Sequence, residues 1–434
     1  VTLSPTARYE IKICGVLLLF IAAIQSIRSI SGYPTLPSVT AEPELLRSWS
    51  LVGVPWLITN GYWLFLVPLG IALDRFGVIK TIICLMGLYS ITMLLTALKP
   101  DADTLFPLHF ISTLTYVTLQ TSPFLIATVV LIKHLRTAYF ARVFIVLYLI
   151  LSNAGALILL WNPIMEWLQT PSVGLNNPSY ILGNLVLPGI FFTLSTWILF
   201  SGRHRHPAQD DTKSRLLKKI GDLPATKVMK SRRFWIVATL VFIISSLTTL
   251  TLGWTPGPQI SAVYKITLER AYDALPLEVL SAFSLGGLII GAYIADKRKY
   301  LQYYFYIVFS VIFLSCGLIL LRIIPLGILP WIAISALTFV GYFVFSLMIK
   351  LIANFKNCAA LGTICGILLA IRATSRNLYG DFSPRLQGPT EAPAPYAYEV
   401  SLYVALILSL VAIFFINKSK KHIESLRAEA TTSN

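Results

Sequence analysis

Runs of about 20 apolar residues recur along the whole chain, each closed by a few charged and turn-forming residues. Wound as an α-helix, a run of that length crosses the ~30 Å hydrocarbon core of a bilayer. Lipid offers no hydrogen bonds, so each run must satisfy its backbone within itself, and a helix does so. Only 12% of the 434 residues are charged, about half the share in a soluble domain. That leaves too little polar surface for a water-soluble body. The expected fold is an all-α polytopic membrane protein.

Twelve spans are predicted, near 12–31, 51–73, 78–98, 105–132, 139–161, 179–200, 233–253, 275–295, 300–321, 325–349, 358–380 and 398–416. Net charge is +16, which in a soluble protein would point to nucleic acid. Here 26 of the 35 Lys and Arg residues fall on one side of the predicted spans or at their inner ends: Arg8, Lys12, Arg75, Lys80, Lys133, Arg136, Arg142, ten between 203 and 233, Lys297, Arg298, Lys299, Lys350, Lys356 and four in the tail. Basic residues collect on the cytoplasmic side and meet anionic lipid there. Both termini are therefore expected inside, with lipid rather than nucleic acid as the charged partner. The first run lacks a small-residue cleavage site and reads as a first span. Asn417-Lys418-Ser419 is an Asn-x-Ser sequon on the inner tail, and no sequon falls in an outer loop, which leans to a bacterial inner membrane.

The longest inner connection divides the chain into an N-terminal bundle (1–202), a basic linker (203–233), a C-terminal bundle (234–417) and a tail (418–434). Within the linker, 214–223 could lie on the membrane surface as an amphipathic helix. The five cysteines lie in or at the ends of apolar runs without a Cys-x-x-Cys pair, and are expected as packing residues. No catalytic constellation, metal-ligand cluster or cofactor motif stands out, so no enzyme activity, metal or cofactor is expected. The chain is expected to act as a monomer.

After the second span the sequence reads GIALDRFGVIK, residues 70–80. This resembles the signature loop of the major facilitator superfamily, Gly-x-Leu-Ala-Asp-Arg-x-Gly-Arg-Lys, with Gly70, Asp74, Arg75 and Gly77 in register. The family's later basic pair is replaced by Val78 and Ile79, with Lys80 one place on. At the corresponding place after the eighth span stands GAYIADKRK, residues 291–299, where Asp296 precedes Lys297, Arg298 and Lys299. Ser231–Trp235, opening the seventh span, is also similar to the family. Two such loops in equivalent places fit a parallel internal repeat. An acid at a helix end can pair with a base or with a neighbouring helix terminus and hold the inner side closed. Gly70, Asp74, Arg75, Gly77, Asp296 and Arg298 are the gating candidates. An ordinary turn carrying Gly and Asp is the plainer alternative.

The resemblance implies transport by alternating access, with the first, fourth, seventh and tenth spans lining a cavity. The fourth offers His109, Thr113, Tyr116 and Gln120 on one face, and the tenth offers Trp331, Ser335, Thr338 and Tyr342. Such stripes also serve helix packing. Two features of the family's drug–proton antiporters are missing: an arginine in the fourth span and Gly-Pro in the fifth. No carboxylate stands mid-span. Arg28, with Gln25 on the same face, and Arg372 with Arg376 do lie within spans, where an arginine costs about 2.5–3.5 kcal/mol on insertion scales. Snorkelling or an ion pair would account for them; so would an anionic substrate, since guanidinium grips carboxylate or phosphate by two prongs. Arg28, Gln25, Tyr116, Gln120, Trp331, Tyr342, Arg372 and Arg376 are the candidates for a small anionic, zwitterionic or amphipathic solute. The alternatives are an exporter of a larger amphipathic metabolite or lipid, and a transporter-like sensor.

Overall fold

In the computed structural model, residues 10–15, 17–18, 62–78, 80–87 (except 83 and 86), 122–135, 139–152, 225–252, 277–297, 301–320, 328–356, 358–380 and 395–431 are described. The sixth predicted span wholly, the first, third and fourth largely, and the linker up to 224 lie outside them. Among the described residues every regular element is helical: α1 (Tyr62–Phe76), α2 (Ser122–His134), α3 (Phe140–Ser152), α4 (Ala225–Met229), α5 (Arg232–Leu252), α6 (Leu277–Lys297), α7 (Leu301–Leu320), α8 (Ile328–Ala353), α9 (Leu361–Gly380) and α10 (Pro395–Thr431).

Helix α7 shows why these elements belong in lipid. Phe305, Phe309, Ile312 and Cys316 are buried on one face, while Tyr303, Ile307, Leu314 and Leu318 are exposed on another. A helix that is apolar all round has no water-facing side. Stretches Arg232–Leu250, Gln302–Leu320, Ile332–Ala353 and Val400–Ser419 are long and apolar enough to cross a membrane.

Most described helix ends lie within three residues of the predicted spans, and two ends that run past them are informative. The second span was expected to end at 73, but α1 continues to Phe76, so Asp74 and Arg75 stand on its last turn. Gly77 then ends it at φ +80°, a left-handed conformation that glycine adopts without steric penalty. The tail expected after 417 is helical to Thr431, because Lys, Glu, Leu, Arg and Ala continue a helix and no Gly or Pro interrupts them.

The chain forms two compact units. One comprises Val1–Leu135, Val146–Ala225 and Asn357–Ile367; the other comprises Arg136–Ile145, Thr226–Lys356 and Leu368–Asn434. Each contains a short piece of the opposite sequence half. In the first unit α1 meets the start of α9 through glycines. A methyl added at Gly366 would lie 2.5 Å from the Leu66 carbonyl oxygen, and one at Gly362 2.6 Å from that of Gly70. In the second, α6 packs most extensively on α8, with Gly291 against the Phe343 backbone. There Ser346 Oγ donates to the Leu288 carbonyl at 3.0 Å. Gly362/Gly366 and Gly287/Gly291 are both Gly-x-x-x-Gly pairs, the spacing that lets helix backbones approach closely in lipid. Ser231 caps α5, accepting the Phe234 N–H at 3.2 Å. Cys316 and Cys365 are buried packing residues, as expected of all five. Cys84, however, is exposed, and Cys14 and Cys358 are half-buried.

Candidate functional site

Helix α9 begins without a cap of its own. The Ala360 carbonyl accepts the first intrahelical bond, from Ile364 N–H at 3.0 Å, which makes Ala360 the cap position, and a methyl group cannot accept the exposed N–H groups of the first turn. Asp74 fills the role from α1. Its Oδ1 accepts the Gly362 N–H at 2.7 Å, and its Oδ2 accepts the Thr363 N–H at 2.7 Å and the Thr363 hydroxyl at 2.6 Å. The glycine crossing makes this reach possible, since Leu66, Gly70 and Asp74 are four apart on one face of α1. At the negative end of its own helix dipole Asp74 is misplaced. At the positive end of α9 it is well placed. Arg75, exposed on the last turn, suits the C-terminus of α1.

Asp296 repeats the arrangement in the other unit. Tyr139 stands at the cap position of α3, its carbonyl accepting the Val143 N–H at 3.1 Å, and again has no short acceptor to offer. Asp296, one residue from the end of α6, accepts the Ala141 N–H and the Arg142 N–H, each at 3.0 Å. It also takes Arg142 Nε at 3.2 Å and Lys350 Nζ at 3.1 Å, with its own side chain fully buried. Both carboxylates thus bind the second and third N–H groups of a helix that cannot cap itself. Asp74 is exposed and, among the described residues, is held by N–H and hydroxyl donors; Asp296 is buried between two cations.

The structure therefore brings Asp74, Gly70 and Gly77 into one device, and Asp296 into a matching one. Arg298, the other gating candidate in that segment, lies outside the described residues. Arg142 and Lys350 are its partners, and sequence reasoning counted them only as inner-side charges. The repeat could have identified the first: if the second span meets the eleventh, the eighth should meet the fifth, which Arg142 opens.

Of the proposed solute contacts, Arg28, Gln25, Tyr116 and Gln120 lie outside the described residues, as do His109, Thr113 and the side chains of Trp331 and Arg376. Tyr342 is half-buried on α8. On the same stripe Ser335 is buried, and the Thr338 hydroxyl donates to the Ile334 carbonyl of its own helix at 2.9 Å. Arg372, half-buried on α9, holds its guanidinium carbon 4.9 Å from the centre of the Phe345 ring on α8.

The sequence matches no family model and no curated protein. The fold does match solved structures. A bacterial homologue of the iron transporter ferroportin, in an outward-facing state, aligns with TM-score 0.59 at 13% identity, covering 95% of this chain and 99% of the other. A variant of the E. coli fucose:proton symporter FucP aligns with TM-score 0.55 at 13% identity, over 95% and 99%. The proton:xylose symporter XylE, bound to a bromodeoxyglucose, gives 0.52 at 12%, over 95% and 96%. This chain has the major facilitator fold. It is an integral membrane protein, and the all-α architecture expected from its apolar runs is borne out. Asp74 and Asp296 each cap a helix that belongs to the other sequence half.

Proposed function

We propose that this chain carries a small solute across the membrane by alternating access, and that Asp74 and Asp296 hold its inner side closed. The observation that supports this is the paired capping: each carboxylate joins a helix of one sequence half to a helix start of the other. Such bonds form or break as a set when helix ends separate, which suits a two-state element. In this reading 1–202 and 234–417 are the moving halves, joined by the 203–233 linker. The protein works as a monomer in a bacterial inner membrane with both termini in the cytoplasm. The solute is anionic, zwitterionic or amphipathic, held by Arg372 with Arg28 and Arg376. Support for the anionic class is the cost of an arginine within an apolar helix.

Proteoliposome uptake screened against small organic anions, amino acids and sugars tests the reading. Saturable flux that Asp74→Asn slows at normal expression is expected. A protein that binds ligands without any flux would be a sensor. Reporter fusions at the C-terminus and within 203–233 should both read cytoplasmic, and an outside reading from either overturns the topology.

A further inference from the structure

Beyond the clasp itself, the inner end of α6 carries a cluster that the clasp does not use in full. Lys297 Nζ stands 4.5 Å above the centre of the Tyr293 ring and donates to Tyr293 Oη at 2.7 Å. The Arg142 guanidinium carbon lies 6.0 Å from the same ring centre. Arg142 is 41% exposed even while its Nε holds Asp296. Around Asp296 stand Arg142, Lys297 and Lys350, so positive charge exceeds negative by two among these four groups. Below this cluster runs an apolar stripe, since Phe283, Ile290 and Tyr293 are exposed at 41%, 46% and 47% and lie seven and three residues apart on one face of α6. From Phe283 to Tyr293 the stripe is about 15 Å long at 1.5 Å per residue, the depth of one leaflet's hydrocarbon. Tyrosine at its end is the residue type that sits at a headgroup boundary, with its ring in the apolar zone and its hydroxyl in the polar one.

We propose that this face of α6 is a binding site for an anionic glycerophospholipid. The acyl chain lies along Phe283, Ile290 and Tyr293, and the phosphate meets Lys297, the Tyr293 hydroxyl and the field of Arg142. Because Arg142 also holds Asp296, the lipid would sit one residue away from the clasp. The inference is independent of whether the chain moves a solute.

The test is lipid binding by the intact protein, read by native mass spectrometry after equilibration in equal phosphatidylglycerol and phosphatidylcholine. Phosphatidylglycerol should be retained preferentially. Lys297→Gln should lower that preference by about fivefold, the factor one basic residue near an anionic surface is worth, and Tyr293→Leu should lower it in the same direction. Lys297 is exposed, so the variant should fold, and an unchanged melting temperature verifies it. Lys418→Gln removes the same charge at the inner end of the apolar stretch Val400–Ser419 of α10. An equal loss there would mean a diffuse charge effect and overturn the site. No loss in either α6 variant would also overturn it. Displacement of the lipid by millimolar inorganic phosphate would mean that a free anion, and not a lipid, is the ligand.

Discussion

Thr363 gives Asp74 both its backbone N–H, at 2.7 Å, and its hydroxyl, at 2.6 Å, and both go to the same carboxylate oxygen. The other oxygen is taken by Gly362. Asparagine at position 74 would keep the shape but turn an NH2 group toward an N–H donor, and one of the two sides would lose its bond. A cap is worth about 1 kcal/mol, enough to shift a two-state balance roughly fivefold.

Cys358 reports that balance. It sits between α8 and α9, half-buried. Burial pushes its thiol pKa up; a hydrogen bond from the Ala360 backbone pulls it down, and the Asp74 charge adds a smaller upward push. Only the thiolate reacts, so maleimide labelling at pH 7 should be slow and should accelerate as pH rises. In protein lacking Cys14 and Cys84, Asp74→Asn should label several-fold faster. Part of that gain comes from the lost charge alone. Thr363→Val separates the causes, because it keeps the charge and removes a hydrogen bond. Wild-type labelling in Thr363→Val would mean that the cap does not hold the inner side.

Gly362→Ala should weaken the same junction by a different route. Its methyl would stand 2.6 Å from the Gly70 carbonyl oxygen and 2.8 Å from Asp74 Oδ1, and backbone cannot step aside as a flexible side chain can. Overpacking of this kind costs about 1–3 kcal/mol. Gly286→Ala is the comparison, since its methyl would meet only the Phe339 ring, at 3.7 Å. The first variant should melt lower and label faster at Cys358; the second should do neither. Equal melting of the two would remove the close approach from the account.

The membrane class, the positions of most described helices and the segment around Asp74 stood out because they rest on local pattern. Twenty-residue apolar runs need no tertiary knowledge, and Gly70, Asp74 and Gly77 stand in one short segment. What stayed hidden is non-local. Asp296 is followed in sequence by three bases, yet its observed cations come from positions 142 and 350, where nothing in the local sequence marks them as its partners. The absence of capping side chains at Ala360 and Tyr139 was a readable sign that α9 and α3 are capped from elsewhere. The end of α1 was misplaced because a charged pair looks like a loop, whereas here Asp74 on the last turn belongs electrically to another helix.

The two clasps should differ in stability. Asp296 is buried with Lys350, whose side chain is only 15% exposed. Asp296→Asn leaves that cation without its counter-charge, which costs about 3–5 kcal/mol for a buried pair. Asp74→Asn, at an exposed site, should cost about 1 kcal/mol. Thermal unfolding in detergent should therefore show a much larger fall for Asp296→Asn. Adding Lys350→Met should recover part of the loss. If Lys350→Met restores nothing, the Asp296–Lys350 pair is not what stabilises this corner.

Arg372 poses the sharpest question about the solute. Its guanidinium over the Phe345 ring is a cation–π contact, worth about 0.5–2 kcal/mol. In the role proposed above, an anionic group on the solute would be a further partner of the guanidinium, and stacking on Phe345 would hold it in place. The two roles predict different patterns. Were Arg372 only a packing residue, Phe345→Leu and Arg372→Gln would lower the melting temperature alike and leave solute affinity alone. As an anion-binding residue, Arg372→Lys should keep part of the affinity, since charge remains without the two-pronged grip. Arg372→Gln should keep little, raising the apparent KM by tenfold or more, the effect of losing about 1.5–3 kcal/mol from a hydrogen bond to a charged group. Phe345→Leu should fall between wild type and Arg372→Lys. Wild-type transport in both arginine variants, or a solute that proves to be a cation, would remove Arg372 from the binding site.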